Sequence, residues 1–175
     1  MPILSVCGSL QARSSNRAAL DVVHAVVRDA GATIDEYDGL ALIPPLNPDH
    51  ADDAGSVAGV VKNALDWIVG SGELYTKPVG LVNVGTSGGY HARRALVQTL
   101  TWQGAHVVAS LGVDAPKTKS DADGHFADPA TVAALEAFAR VVIEAPERNA
   151  AGRLAAVRAI VEDAGVDTNH IAPLD

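Results

Sequence analysis

The chain has 175 residues, 48% of them hydrophobic, enough for one domain that buries roughly 70% of its unfolded surface. A formal net charge of −8 at pH 7, with no block of Lys or Arg, argues against a nucleic-acid partner, because neutralising phosphates requires a basic face. No apolar run approaches the ~20 residues that span a bilayer, the N-terminal stretch lacks the basic leader of a signal peptide, and the single cysteine, Cys7, excludes an internal disulfide; the expectation is a cytoplasmic protein with no membrane partner.

Ile3-Leu4-Ser5-Val6-Cys7 predicts a short buried strand, followed by the polar loop Gly8 to Asn16. A helix from Arg17 to Arg28 follows, with Leu20, Val23 and Val27 on one face. A loop rich in hydroxyls and backbone N–H groups, feeding a helix N-terminus, suits a phosphate, because the donors point outward and the helix dipole favours negative charge. It is no Walker A loop, since no Gly-Lys-Ser/Thr follows, and Gly8 lacks the partners of a dinucleotide fingerprint. A second strand is predicted at Thr33 to Tyr37. Pro44-Pro45-Leu46-Asn47-Pro48-Asp49 reads as irregular, since proline suits neither a helix interior nor a central strand.

The helix predicted at Val57 to Val69 carries Val57, Val60, Val61, Ala64 and Ile68 at core spacing, with Lys62 and Asp66 as an i,i+4 pair on its other side. Val79 to Val84 reads as a buried strand ending in Gly85-Thr86-Ser87-Gly88-Gly89. After it come a helix from Ala92 to Gln103 and a strand at His106 to Leu111. Asp128-Pro129 opens a helix with a carboxylate cap and Pro at the first helical position, and Leu154 to Ala164 forms the last one. Alternating strands and helices predict an α/β fold with a mostly parallel sheet. The expected division is one domain over residues 1–146 and a helical tail over 147–175.

Three places carry a resemblance to the NADPH-dependent FMN reductase family, flavodoxin-like enzymes that include quinone, azo-dye and chromate reductases. They are Gly8-Ser9-Leu10 with Ser14 and Asn16, the long segment Gly55-Ser56-Val57-Ala58-Gly59-Val60-Val61-Lys62-Asn63-Ala64-Leu65-Asp66-Trp67, and Gly85-Thr86-Ser87-Gly88-Gly89. The resemblance implies a flavodoxin-like three-layer fold and FMN as cofactor. NADPH would be the hydride donor, and the partner a small-molecule electron acceptor: a quinone, dye, metal ion or free flavin. It also implies a homodimer or homotetramer, with Trp67 near the interface. By position, Ser9, Ser14 and Asn16 would hold the FMN phosphate, and Thr86, Ser87, Gly88 and Gly89 would flank the flavin ring. Gln11 stands where the family usually has Arg, and Arg13, two residues on, would supply that charge.

The chain departs from the family in one large respect. The family has a helix, a third strand and a Pro-Glu-Tyr-Asn loop before the Gly-Ser motif, whereas here Asn47-Pro48-Asp49 and Gly55-Ser56 are separated by His50 to Ala54. At ~3.3 Å per residue those five residues span under ~20 Å, too little for a helix and a strand. The resemblance thus implies a sheet shortened to four strands. Either strand one re-pairs with Val79 to Val84, or a second chain supplies what is missing.

Other polar groups read as structure. Lys62, Asn63, Asp66 and Trp67 fit an ion-paired helix surface with a half-buried indole. Cys7 fits a small core residue, although an activated thiolate at a strand end is conceivable. His91 is the one histidine beside a glycine loop. Asp121-Ala122-Asp123-Gly124-His125 lacks the later ligands of a calcium loop and fits a tight turn. No acid–base pair and no metal site is expected. The leading function is therefore an FMN-dependent NAD(P)H oxidoreductase. A non-catalytic flavodoxin-like remnant acting as an oligomer partner is the alternative, and a phosphate-binding regulatory module the third reading.

Overall fold

A computed structural model describes residues 1–11, 13–43 and 57–174. The irregular Pro44 to Asp49 stretch, the short His50 to Ala54 connection and Gly55-Ser56 lie outside the described residues. The elements run β1 (Pro2–Val6), α1 (Ser15–Asp29), β2 (Thr33–Tyr37), α2 (Val57–Ile68), β3 (Pro78–Val84), α3 (Tyr90–Trp102), β4 (His106–Val113), the single turn α4 (Pro116–Lys119), α5 (Pro129–Glu144) and α6 (Ala150–Asp163). The predicted elements are all present, with ends displaced by a few residues. The one-turn α4 and three short 3-10 turns, too brief to show periodicity, are additional.

The architecture is mixed α/β with parallel pairing, consistent with a shortened flavodoxin-like fold. Among the described residues four strands form two parallel pairs, β1 with β2 and β3 with β4, rather than one continuous sheet. Among the described residues strand one does not re-pair with β3, so that expected arrangement is corrected. Asn16 offers a physical reason: its side-chain Oδ1 accepts the Val84 N–H at 2.8 Å and takes a backbone donor at the end of β3.

Two apolar clusters hold the molecule. In the first, Ala19, Val23 and Val27 of α1 meet Leu135, Phe138 and Ala139 of α5, with Ile3, Ile34, Val82 and Val84 from the strands beneath. In the second, Leu100 of α3 and Val157 and Val161 of α6 close over Val107 of β4, with Val79 and Leu81 packed alongside. β3 therefore presents alternate residues to two cores. That two-faced burial is why its sequence is an unbroken apolar run. The C-terminal segment belongs to the second core: His106, fully buried, donates Nε2–H to the Ala172 carbonyl at 2.7 Å.

Candidate functional site

Parallel strands direct their following loops to one edge, the edge where open α/β sheets bind ligands. Among those loops are the ones that follow β1, leading to α1, and β3, Gly85 to Gly89.

In the first loop Ser9 is buried, and its Oγ accepts the Gln11 N–H at 3.4 Å. Gln11 and Arg13 are exposed. Ser14 is the helix N-cap, its Oγ accepting the Asn16 N–H at 3.2 Å while its carbonyl takes Ala18 N–H. This cap explains why α1 starts two residues before the predicted Arg17. The first turn of α1 carries no acidic residue, so its free N–H groups and the helix dipole face nothing negative in that turn.

The second loop is built on two consecutive left-handed residues, Gly88 at φ +64° and Gly89 at φ +61°. A side chain at Gly89 would be strained in φ and would also overlap the Asn83 carboxamide. Thr86 and Ser87 are exposed at the tip, and Gly89 caps α3. Arg93, one turn into α3, clamps the loop. Its Nε–H donates to the Gly88 carbonyl at 3.1 Å and its Nη1–H to Ser110 Oγ on β4 at 3.0 Å. The guanidinium lies on Gly112, where a Cβ would stand 3.0 Å from it.

The 2.8 Å bond from Val84 N–H to Asn16 Oδ1 joins the two regions, tying the first turn of α1 to the last residue before Gly85. Ser9, Ser14 and Asn16 thus share one loop–helix junction, and Thr86 to Gly89 begin at the strand end that Asn16 holds. Asn16's oxygen is engaged by the backbone, so toward a phosphate it has only its amide N–H groups to offer.

Sequence reasoning missed two groups. Arg93 had a signal, since it lies four residues after Gly89 and so returns to the loop within one helical turn. The trio of buried Ser5 and His24 with exposed Glu36 had none: His24 Nε2 lies 2.8 Å from Ser5 Oγ, and its Nδ1 lies 3.3 Å from Glu36 Oε1. Burial, opposed by the Glu36 charge, lowers the His24 pKa below its ordinary 6.5. A proton on Nδ1 then faces the carboxylate, and Nε2 accepts the serine hydroxyl. The order is that of a nucleophilic triad, but Ser5 and His24 are only 8% and 5% exposed. The trio therefore works as a strut joining β1, α1 and β2.

The remaining polar groups sit as structure. Lys62 donates to Asp66 at 2.8 Å on the exposed side of α2, and Trp67 is half exposed. His91 is exposed with its ring edge-on to Tyr90 at 5.3 Å, and Cys7 is partly buried. Asp121 to His125 form the turn the sequence predicts, with Asp121 Oδ1 accepting the N–H groups of Asp123 and His125. Those two bonds hold the Asp121 pKa below the ordinary carboxylate value. Among the described residues no helix is long and apolar enough to cross a membrane.

Parallel strand pairs, packed helices and two glycine-bearing loops after β1 and β3 are consistent with a shortened flavodoxin-like α/β fold. Residues 54–119 match the profile of the NADPH-dependent FMN reductase family, which is the family that the motifs resemble. No curated protein sequence matches the chain.

Proposed function

We propose that the chain is an FMN-dependent NAD(P)H oxidoreductase that passes electrons from nicotinamide through flavin to a small acceptor such as a quinone, a dye, a metal ion or free flavin. The observation that carries the reading is the Asn16–Val84 bond. It fixes a phosphate-type loop–helix junction to the start of a glycine loop, inside a chain whose residues 54–119 match the family. When bound, FMN supplies hydride and electron transfer, so the protein needs no general acid or base of its own.

The residues present fit that cofactor. The free N–H groups at the start of α1, the Ser9 and Ser14 hydroxyls and the exposed Arg13 and Gln11 hold the phosphate. Thr86, Ser87, Gly88 and Gly89 flank the ring, because a chain without side chains at positions 88 and 89 lets a planar group approach the backbone closely. Arg93 acts as a positioning residue that keeps this loop in its left-handed shape. Residues 1–146 form the cofactor-binding part, and residues 147–175 serve as a C-terminal support that packs on β4. The assembly is a homodimer or homotetramer working in the cytoplasm.

Ser9→Asp tests the phosphate assignment by placing a carboxylate against the phosphate. With circular dichroism unchanged, FMN affinity measured by flavin fluorescence quenching falls at least about tenfold, the equivalent of about 1.4 kcal/mol. Unchanged affinity would remove Ser9 from the site.

Among the described residues β1 and β3 do not pair with each other, which favours a second reading, a flavodoxin-like subunit that keeps the fold without flavin and serves as an oligomer partner. Absence of flavin binding together with a stable fold would select it.

A further inference from the structure

Three basic side chains of α1 converge on one carboxylate of β2. Glu36 lies 3.3 Å from His24 Nδ1, 3.7 Å from Arg28 Nη2 and 3.9 Å from Arg17 Nη1. Spacings of seven and four residues put Arg17, His24 and Arg28 along one face of the helix. The three differ in how firmly they are held. Arg17 and Arg28 are solvated and their contacts long, so water and salt screen them and they exchange easily. His24 is 5% exposed, and its Nε2 is fixed by Ser5 Oγ at 2.8 Å. Arg17 is also the third residue of α1, directly after Asn16 and in the turn that Ser14 caps. Helical side chains lean toward the N terminus, so Arg17 stands between Glu36 and any anion seated on that turn.

We propose that Arg17 is a ligand of the phosphate group at the loop–helix junction, that Glu36 is its resting counterion, and that a proton on His24 releases it from Glu36 to the phosphate. The inference rests on the reading of Ser9, Ser14 and Asn16 as a phosphate site. With His24 neutral, Glu36 has the two guanidinium groups as its charged partners. The added proton lands on Nε2, where the Ser5 hydroxyl turns from donor to acceptor. It places a third positive charge nearer to Glu36 than either guanidinium, and like charges repel Arg17. Arg17 then interacts better with an anion on the first turn, where free N–H groups and the helix dipole favour one. The reverse holds by linkage: a phosphate that draws Arg17 away leaves Glu36 to His24 and eases its charging. Burial opposes that charge most, Glu36 favours it, and Arg28, Asp21 and Arg17 act more weakly. The strands β1 and β3 carry no charged side chain. The charged residues of α5, Glu136, Arg140 and Glu144, line a groove with Val26, Asp29 and Ala30 at the far end of α1.

The test combines FMN affinity, from flavin fluorescence quenching, with the NMR titration of the His24 ring, assigned with His24→Gln. At about pH 8, above the ordinary histidine value, Glu36→Gln frees Arg17 and should tighten FMN binding about two- to fivefold, the range of an exposed charge pair. Arg17→Gln should weaken it by a similar factor, and adding Arg17→Gln to Glu36→Gln should cancel the gain. Saturating FMN should raise the pH at which His24 titrates in the unaltered chain and leave it in place in Arg17→Gln. A purely structural role for Arg17 would give no such difference. The inference alone is overturned if FMN shifts the amides of Ser9, Ser14 and Asn16 while affinity is unchanged in both variants or the His24 titration stays put. FMN that leaves those amides unmoved overturns the phosphate reading, and the inference with it. Should either variant fail to fold, the His24 titration of the unaltered chain decides.

Discussion

The two half-sheets were built from similar strands and ended in different states. β3 and β4 are covered on both faces, joined through seven register pairs with one irregularity, and clamped at the ligand edge by Arg93. β1 and β2 pair over five residues, bury one face and leave Leu4 and Val6 in solvent. Their cohesion relies on polar links instead: His24 between Ser5 and Glu36, and the more distant guanidinium groups of Arg17 and Arg28 near the same carboxylate. The lesson is that the same βα unit can be held by apolar burial or by a polar strut, and that the two respond to different perturbations.

Apolar truncation separates the halves most sharply. Leu100→Ala, in the second core, should lower unfolding free energy by about 2–5 kcal/mol in urea titration, because it removes buried methyl groups and leaves a cavity. Gly89→Ala comes next. Forcing a Cβ into a left-handed position against Asn83 should cost about 1–3 kcal/mol and weaken any ligand at that loop. Asn16→Ala, which frees the buried Val84 N–H, should cost about 1 kcal/mol and raise its exchange rate.

The strut answers to pH. The His24 pKa is lowered in the folded chain, so the unfolded state binds the extra proton first. Stability is therefore full above the unfolded value of 6.5 and falls as pH drops from there to the lowered folded value, with no further loss from this group below it. His24→Gln should flatten urea midpoints across that window; an unchanged slope would remove His24 as the cause. Least affected should be Leu4→Ala, whose cost should stay within about 0.5 kcal/mol because the side chain is exposed. A larger loss would mean that the β1 face is covered in solution.

What the sequence made legible follows the same division. The apolar runs of β3 and β4, the Asp128-Pro129 helix start and the turn at Asp121 to His125 each depend on neighbours close in the chain. The separation of the sheets was not legible, since strand pairing is set by contacts between distant segments. Nor was the role of Asn16. Its residue type suits a phosphate loop, and only the folded chain brings Val84, 68 positions away, against its carboxamide. The Ser5–His24–Glu36 strut is hidden for the same reason. The glycine pair at positions 88 and 89 was visible because its demand is local, whereas the Ser14 cap was not read and α1 was placed two residues late.

The most direct measurement is the visible absorption of the purified chain after incubation with FMN and removal of the excess. A retained yellow flavin spectrum that bleaches on addition of NADPH is the predicted result. A folded, colourless chain that retains no FMN would contradict the reductase assignment.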